Sequence, residues 1–207
     1  MKPAHLLLVL VVMAVWGGNF VVIKLAVGEL PPMLFMTVRY VATVILLAPF
    51  MARETSRLPG LFALSVTLGF LHFALAFTGL VAIDASVAAV LQQTQVPFAA
   101  LLAAALLGER VGWWRTAFMG VAFVGVIVLA GEPRTASQPL FVAMAIAGSL
   151  MWAIASLQAK RLGPIDPFAI NGWIAAFAAP QMLAASLVFE SGPPRPSPAP
   201  ARGRGSP

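Results

Sequence analysis

Cysteine is absent from this chain of 207 residues, and charged residues make up only 10% of it, against about a quarter in soluble proteins. Without cysteine there are no disulfides, thiolate metal ligands or cysteine nucleophiles, so the redox compartment stays undetermined. Scarce charge, 60% hydrophobic residues and a mean hydropathy of +0.93 together exclude an ordinary soluble protein. The composition therefore predicts a protein whose solvent is the lipid bilayer.

Acidic residues are also missing from the interiors of the apolar runs. All of them fall in loops or at the ends of runs: Glu29, Glu54, Asp84, Glu109, Glu132, Asp166 and Glu190. Intramembrane hydrolysis needs a nucleophile with a base, paired carboxylates or metal ligands, and the only histidines are His5 and His72. We therefore predict no enzyme, no catalytic residue, no bound metal and no cofactor.

What the chain does have is a row of long apolar runs. There are seven: Leu6–Val27, Met33–Phe50, Leu61–Val81, Ser86–Leu107, Trp113–Ala130, Pro139–Ala159 and Phe168–Phe189. Crossing a bilayer takes about 20 helical residues, so each run is long enough to span. The first run exceeds signal-peptide length and is read as a retained helix. The pattern predicts an all-α, polytopic helical membrane protein with seven transmembrane helices.

Basic residues in the short loops indicate the orientation. With a cytoplasmic N-terminus only Arg134 lies in a short outer loop, and the inner side holds Lys2, Arg53, Arg57, Arg110, Arg115, Lys160 and Arg161. This asymmetry follows the positive-inside rule. Because the rule accounts for the basic residues of the loops, we expect the lipid bilayer, and no nucleic acid, as a partner.

The first and sixth helices carry the same spaced pair. Trp16 precedes Lys24 by eight residues, and Trp152 precedes Lys160 by eight. Five crossings lie between the copies, so the second enters the membrane from the opposite side. Inverted repeats of this kind are typical of secondary transporters, with the substrate site near the midplane. Coincidence between two apolar helices is the alternative.

The repeat divides the chain into three parts. Residues 1–131 form a first unit of five helices, and residues 132–189 supply the first two helices of a second. Residues 190–207, rich in Pro, Arg and Gly, are expected to be a disordered tail. The abrupt change looks like a shifted reading frame, with a genuine flexible tail as the alternative.

Few polar residues lie at mid-depth, where they are functional candidates by default. They are Asn19 beside Trp16 in the first helix, His72 in the third, and Gln92 and Gln95 on one face of the fourth. Pro97 should free the carbonyl of Gln93 and kink that helix. The alternative for each side chain is a hydrogen bond to a neighbouring helix, and for Trp152 simple packing.

Two cations, Lys24 and Arg39, lie towards the outer ends of the first two helices. They either extend to the interface or form a positive outer vestibule for the carboxylate of an amino-acid-like solute. His72 is the one mid-depth group that titrates near neutral pH, so transport is either proton-linked through His72 or simple facilitated export.

Two segments resemble a known family. WGGNFVVIKLAVGELPPMLFMTVRY (16–40) and DASVAAVLQQTQVPFAALLAAALLGERVGWWR (84–115) look like the EamA branch of the drug/metabolite transporter superfamily. WGGNFVVIK, the double proline and LQQTQ are most similar to its bacterial O-acetylserine/cysteine exporters. The resemblance implies a ten-helix, two-repeat exporter of the bacterial inner membrane, working by alternating access, of which this chain is a C-terminally truncated version.

The family pattern also implies a central substrate cavity lined by helices 1, 3, 4 and 6. Its matching positions would be Trp16, Asn19, His72, Gln92 and Gln95, with Trp152 as a further candidate. A small-molecule solute is the implied partner, and a homo-oligomer is left open. Competing hypotheses are a non-transporting fragment and a half-transporter that needs a partner. A retinal protein fits poorly, because the seventh helix has no lysine.

Overall fold

The computed structural model describes residues 3–52, 55–109, 112–132 and 137–190. All regular elements within these ranges are helical, and seven spans are long and apolar enough to cross a membrane. They are α1 (Pro3–Glu29), α2 (Pro32–Met51), α3 (Leu58–Ala82), α4 (Ala85–Leu107), α5 (Trp113–Ala130), α6 (Pro139–Leu162) and α7 (Pro167–Phe189). The predicted all-α polytopic membrane fold is confirmed.

Two of the spans are irregular near their middles. In α3, Ser65–His72 is a π-helical segment, and in α4 the helix is interrupted between Gln92 and Gln95. Pro97 has no N–H to offer the carbonyl of Gln93, so the predicted break is confirmed. The Gln93 carbonyl is not free, however, because the chain tightens and the carbonyl accepts the Val96 amide at 3.1 Å.

The centre of the bundle is the crossing of α3 with α6. Ala145, Ser149 and Ala153 form the small-residue stripe that predicts close packing, and all three are buried. A Cβ on Gly79 would lie 2.9 Å from the Phe141 carbonyl oxygen, so the two backbones approach as closely as glycine permits. This crossing carries His72 and Trp152 towards each other.

α2 and α7 pack side by side and are tied at both ends. The Trp173 indole donates to the Met51 carbonyl at 2.9 Å, and Glu190 accepts the Met33 and Leu34 amides at 2.9 and 3.1 Å. Glu190 thus caps α2, although the sequence assigns it to the tail. The rest of that tail, residues 191–207, lies outside the described residues.

Contacts between loops show that the helices alternate in direction as predicted. Arg57 donates to the Leu162 carbonyl at 2.7 Å, and Lys160 pairs with Glu109, so the α2–α3, α4–α5 and α6–α7 connections share one end of the bundle. Which end faces the cytoplasm stays a prediction, as does the inverted repeat. Of the cations that predict orientation, Lys2, Arg53, Arg110 and Arg134 lie outside the described residues.

Candidate functional site

A cavity of about 300 Å³ opens midway along the helices, between α1, α2, α3, α4, α6 and α7. All six predicted substrate-binding residues line it: Trp16, Asn19, His72, Gln92, Gln95 and Trp152. Because these residues come from four helices, only the tertiary structure can bring them together. Their function stays a prediction.

His72 is the most constrained polar group of the cavity. Its Nδ1 lies 2.8 Å from the Gly148 carbonyl oxygen, and since a carbonyl can only accept, Nδ1 carries the hydrogen. In the neutral ring Nε2 therefore presents a lone pair, and this buried atom has no partner among the described residues. The rings of Phe73 and Trp152 pack edge-on against the imidazole, with centroids 4.6 and 5.0 Å away.

The backbone explains why His72 sits where it does. It is the last residue of the π-helical segment of α3, and such segments occur frequently at functional sites. Tyr40 on α2 donates its hydroxyl hydrogen to the Gly69 carbonyl of this segment at 2.5 Å. The widened turn is thus stabilised from a neighbouring helix.

The glutamines of α4 lie at its interruption. Gln92 ends the first half of the helix and Gln95 begins the second, so the break keeps both beside the cavity. The Gln95 carbonyl oxygen Oε1 is buried and has no partner among the described residues. It therefore makes none of the interhelical hydrogen bonds that were its alternative role.

The two cations assigned to an outer vestibule separate in the structure. Arg39 lines the cavity, with its guanidinium carbon 5.5 Å from the centre of the Phe73 ring. Lys24 does not line the cavity; its ammonium donates to the carbonyls of Leu80, Val81 and Ile83 at 2.5, 3.0 and 2.8 Å. All three N–H donors of Lys24 are used, which leaves none for a solute carboxylate.

Among the polar lining residues, Tyr40, Thr43 and Asn171 escape the sequence reasoning. Tyr40 is the only tyrosine of the chain and follows Arg39, so an uncommon polar pair in an apolar helix was the available signal. Asn171 lines the cavity from the first turns of α7 and donates to the Pro167 carbonyl at 2.7 Å. Its position near the end of a predicted apolar run gives no signal in the sequence that it would line a cavity.

α1 borders the cavity loosely. Trp16 is 57% exposed, and a Cβ on Gly17 or Gly18 would meet no atom within 4 Å. None of the described residues therefore packs closely against α1 at these two glycines. The part of the chain that the structure describes also holds no group of three His, Cys, Asp or Glu side chains suited to a metal.

Comparison with known proteins gives several relatives at low identity. A probable amino-acid metabolite efflux pump of Escherichia coli is 28% identical over 158 residues, or 75% of this chain and 53% of the relative. A protein of the same name from Salmonella typhimurium is 28% identical over 191 residues, 88% of this chain and 64% of the relative. The inner membrane transporter YedA of Escherichia coli, named as uncharacterized, is 27% identical over 184 residues, 84% and 57% of the two chains.

The chain thus spans between half and two thirds of the length of these relatives. No solved structure matches it. Residues 4–131, which contain α1 to α5 except the first residue of α1, match the model of the EamA-like transporter family. Because this match covers more than half of the chain, and the fold is a bundle of membrane-spanning helices, the chain belongs to the EamA-like transporter family.

Proposed function

We propose that the chain exports small amino-acid-like metabolites, of the cysteine and O-acetylserine type, across the bacterial inner membrane by alternating access. The N-terminus lies in the cytoplasm in this proposal, and the protein performs no catalysis. The observation that carries the proposal is the mid-length cavity, in which polar side chains from five helices converge within an otherwise apolar bundle. Secondary transporters hold their solutes at this depth.

The relatives and the cavity dimensions support the same class of solute. Two relatives are named amino-acid metabolite efflux pumps. A cavity of about 300 Å³ is at the lower end of the range for ligand sites, about 300–1,000 Å³, which suits a single amino acid.

Efflux from proteoliposomes tests the proposal. Vesicles containing the 207-residue chain are loaded with radiolabelled L-cysteine, O-acetyl-L-serine or L-methionine, and release is compared with that from protein-free vesicles. We expect faster release of at least one amino acid. Release at the protein-free rate for all three would contradict export by this chain.

A matched pair of variants then assigns the flux to the cavity. Thr43 lines the cavity on α2, whereas Val38 on the same helix is 62% exposed and lies off it. Thr43→Trp fills the cavity and should slow release at least tenfold, while Val38→Trp should leave it unchanged. Equal release by both variants would place the pathway elsewhere.

The alternative is a half-transporter that needs a partner. In that case, release appears only when the second half of a ten-helix relative is produced together with this chain.

A further inference from the structure

The polar groups of the cavity have an arrangement that selects the chemistry of the solute. Two of them are acceptors without donors: Nε2 of His72 and Oε1 of Gln95 are buried and unpartnered among the described residues. A buried acceptor without a hydrogen bond costs about 1–3 kcal/mol, so both atoms favour a ligand that brings N–H donors. A primary ammonium group carries three.

The α2 side of the same cavity carries the positive charge of Arg39 and therefore favours a negatively charged ligand group. Arg39 contacts the face of Phe73 and the sulfur of Met36, and no described carboxylate pairs with it. None of the described residues that line the cavity is acidic. A simple cationic amine would therefore meet a guanidinium with no counter-charge, whereas a ligand carboxylate would neutralise it.

Arg39 and His72 lie close enough for one ligand to reach both. Both Arg39 and His72 pack on Phe73, with the guanidinium carbon 5.5 Å and the imidazole centroid 4.6 Å from its ring centre, so they lie no more than about 10 Å apart. An α-amino acid that is hydrogen-bonded through both its ammonium and its carboxylate spans about 9 Å between its partners.

The remaining walls are partly aromatic and partly polar. The aromatic residues are Trp16, Phe20, Phe73, Phe77 and Trp152, and polar side chains are supplied by Asn19, Tyr40, Thr43, Gln92, Gln93 and Asn171. Aromatic walls suit an apolar or thioether side chain, since sulfur makes favourable contacts with rings.

We propose that the cavity binds a zwitterionic α-amino acid, its ammonium at His72 Nε2 and Gln95 Oε1 and its carboxylate at Arg39. This inference rests on the proposed export function and specifies its solute. His72, Gln95 and Arg39 are thus specificity-determining residues, and an ion of either sign alone is a poor ligand.

Binding of tritiated L-methionine to the solubilised chain tests the inference, with L-methionine methyl ester and N-acetyl-L-methionine as competitors. The ester lacks the carboxylate charge and the N-acetyl derivative lacks the ammonium. We expect each to compete at least tenfold more weakly than L-methionine. Equal competition by all three compounds, or no binding of L-methionine, would overturn the inference.

Protein variants identify which residue binds the ammonium of the ligand and which binds its carboxylate. Arg39→Gln should weaken binding of L-methionine at least tenfold but change binding of the methyl ester less than twofold, with Val38→Gln as the matched control off the cavity. Gln95→Met keeps the side-chain length and removes the unpartnered oxygen. It should weaken the binding of L-methionine but not that of N-acetyl-L-methionine, and it should not lower the melting temperature of the protein.

His72→Asn completes the set, because its shorter amide can retain a donor towards Gly148 while removing the acceptor that corresponds to Nε2. An equal loss of binding affinity for L-methionine and both derivatives would contradict the assignment of the ligand's ammonium and carboxylate to these residues. If the chain exports an amino acid but binds all three compounds with equal affinity, only this inference is overturned. Absence of any amino-acid export overturns the proposed function.

Discussion

α1 and α6 carry the same tryptophan and lysine at the same spacing, yet the bundle uses them differently. In α1 only Ile23 and Val27 are buried among the residues whose burial the structure describes, whereas in α6 seven residues are buried. Trp152 packs against His72 at the centre, while Trp16 is 57% exposed. Equal sequence motifs therefore do not have equal surroundings, because α6 crosses α3 closely and α1 does not.

The two lysines differ in the opposite direction, because the lysine of the loosely packed helix makes the larger number of hydrogen bonds. Lys24 on the loosely packed helix donates to three carbonyls at the end of α3, while Lys160 on the central helix makes an exposed ion pair with Glu109. A cation at a helix C-terminus satisfies carbonyls that no backbone amide can reach and also favours the helix dipole. Lys24 thus fastens α1 to the bundle together with the buried Ile23 and Val27.

Replacing these lysines gives the largest expected difference. Lys24→Met removes charged hydrogen bonds and should lower the free energy of unfolding by about 3 kcal/mol, since one such bond contributes about 1.5–3 kcal/mol. Lys160→Met removes an exposed ion pair and should cost less than about 1 kcal/mol. Thermal melting of the solubilised variants measures both, and equal losses would contradict the fastening role of Lys24.

A methyl group added to a glycine compares the packing of the two helices directly. Gly79→Ala places a Cβ 2.9 Å from the α6 backbone, and overpacking of this kind costs about 1–3 kcal/mol. Gly17→Ala on α1 adds the same atom where nothing lies within 4 Å and should not lower the melting temperature, since alanine is also the better helix former. If Gly79→Ala melted no lower than Gly17→Ala, the close crossing of α3 and α6 would be wrong.

The cap of α2 by Glu190 should have the smallest effect. Glu190→Gln keeps an acceptor but removes the charge at the helix N-terminus, at a cost of about 1 kcal/mol, or about 2–4 °C in melting temperature for a chain of this size. Glu29→Gln, on an exposed side chain at the end of α1, is the control. A larger loss for Glu29→Gln would show that the α2 cap contributes little.

Some of the site could be predicted from the chain and some could not. Depth along each run identified Trp16, Asn19, His72, Gln92 and Gln95, because a polar residue in the middle of an apolar helix is costly wherever that helix packs. The break at Gln93 also follows from local chemistry, namely the missing amide of Pro97. The roles of Lys24 and Arg39 could not be separated in this way, since both lie near helix ends and differ only in what lies opposite.

Tyr40, Asn171 and Glu190 show where reasoning from one chain position stops. Tyr40 contacts the Gly69 carbonyl, which is available because α3 adopts a π-helical turn there. The spacing of apolar residues in the sequence does not predict that turn. Glu190 looks like the first residue of a polar tail until α7 places it beside the uncapped amides of α2. Both contacts join residues 29 or more positions apart in the chain.

The sequence by itself determined the solvent, the helix count, the alternating direction and the family, because hydrophobic length and local motifs are properties of short segments. Only the tertiary structure decided which polar groups share a cavity, which of two cations faces it, and which acceptors are left without a donor. Those features depend on close packing between helices that are far apart in the chain, and packing is set by the shapes of both partners at once.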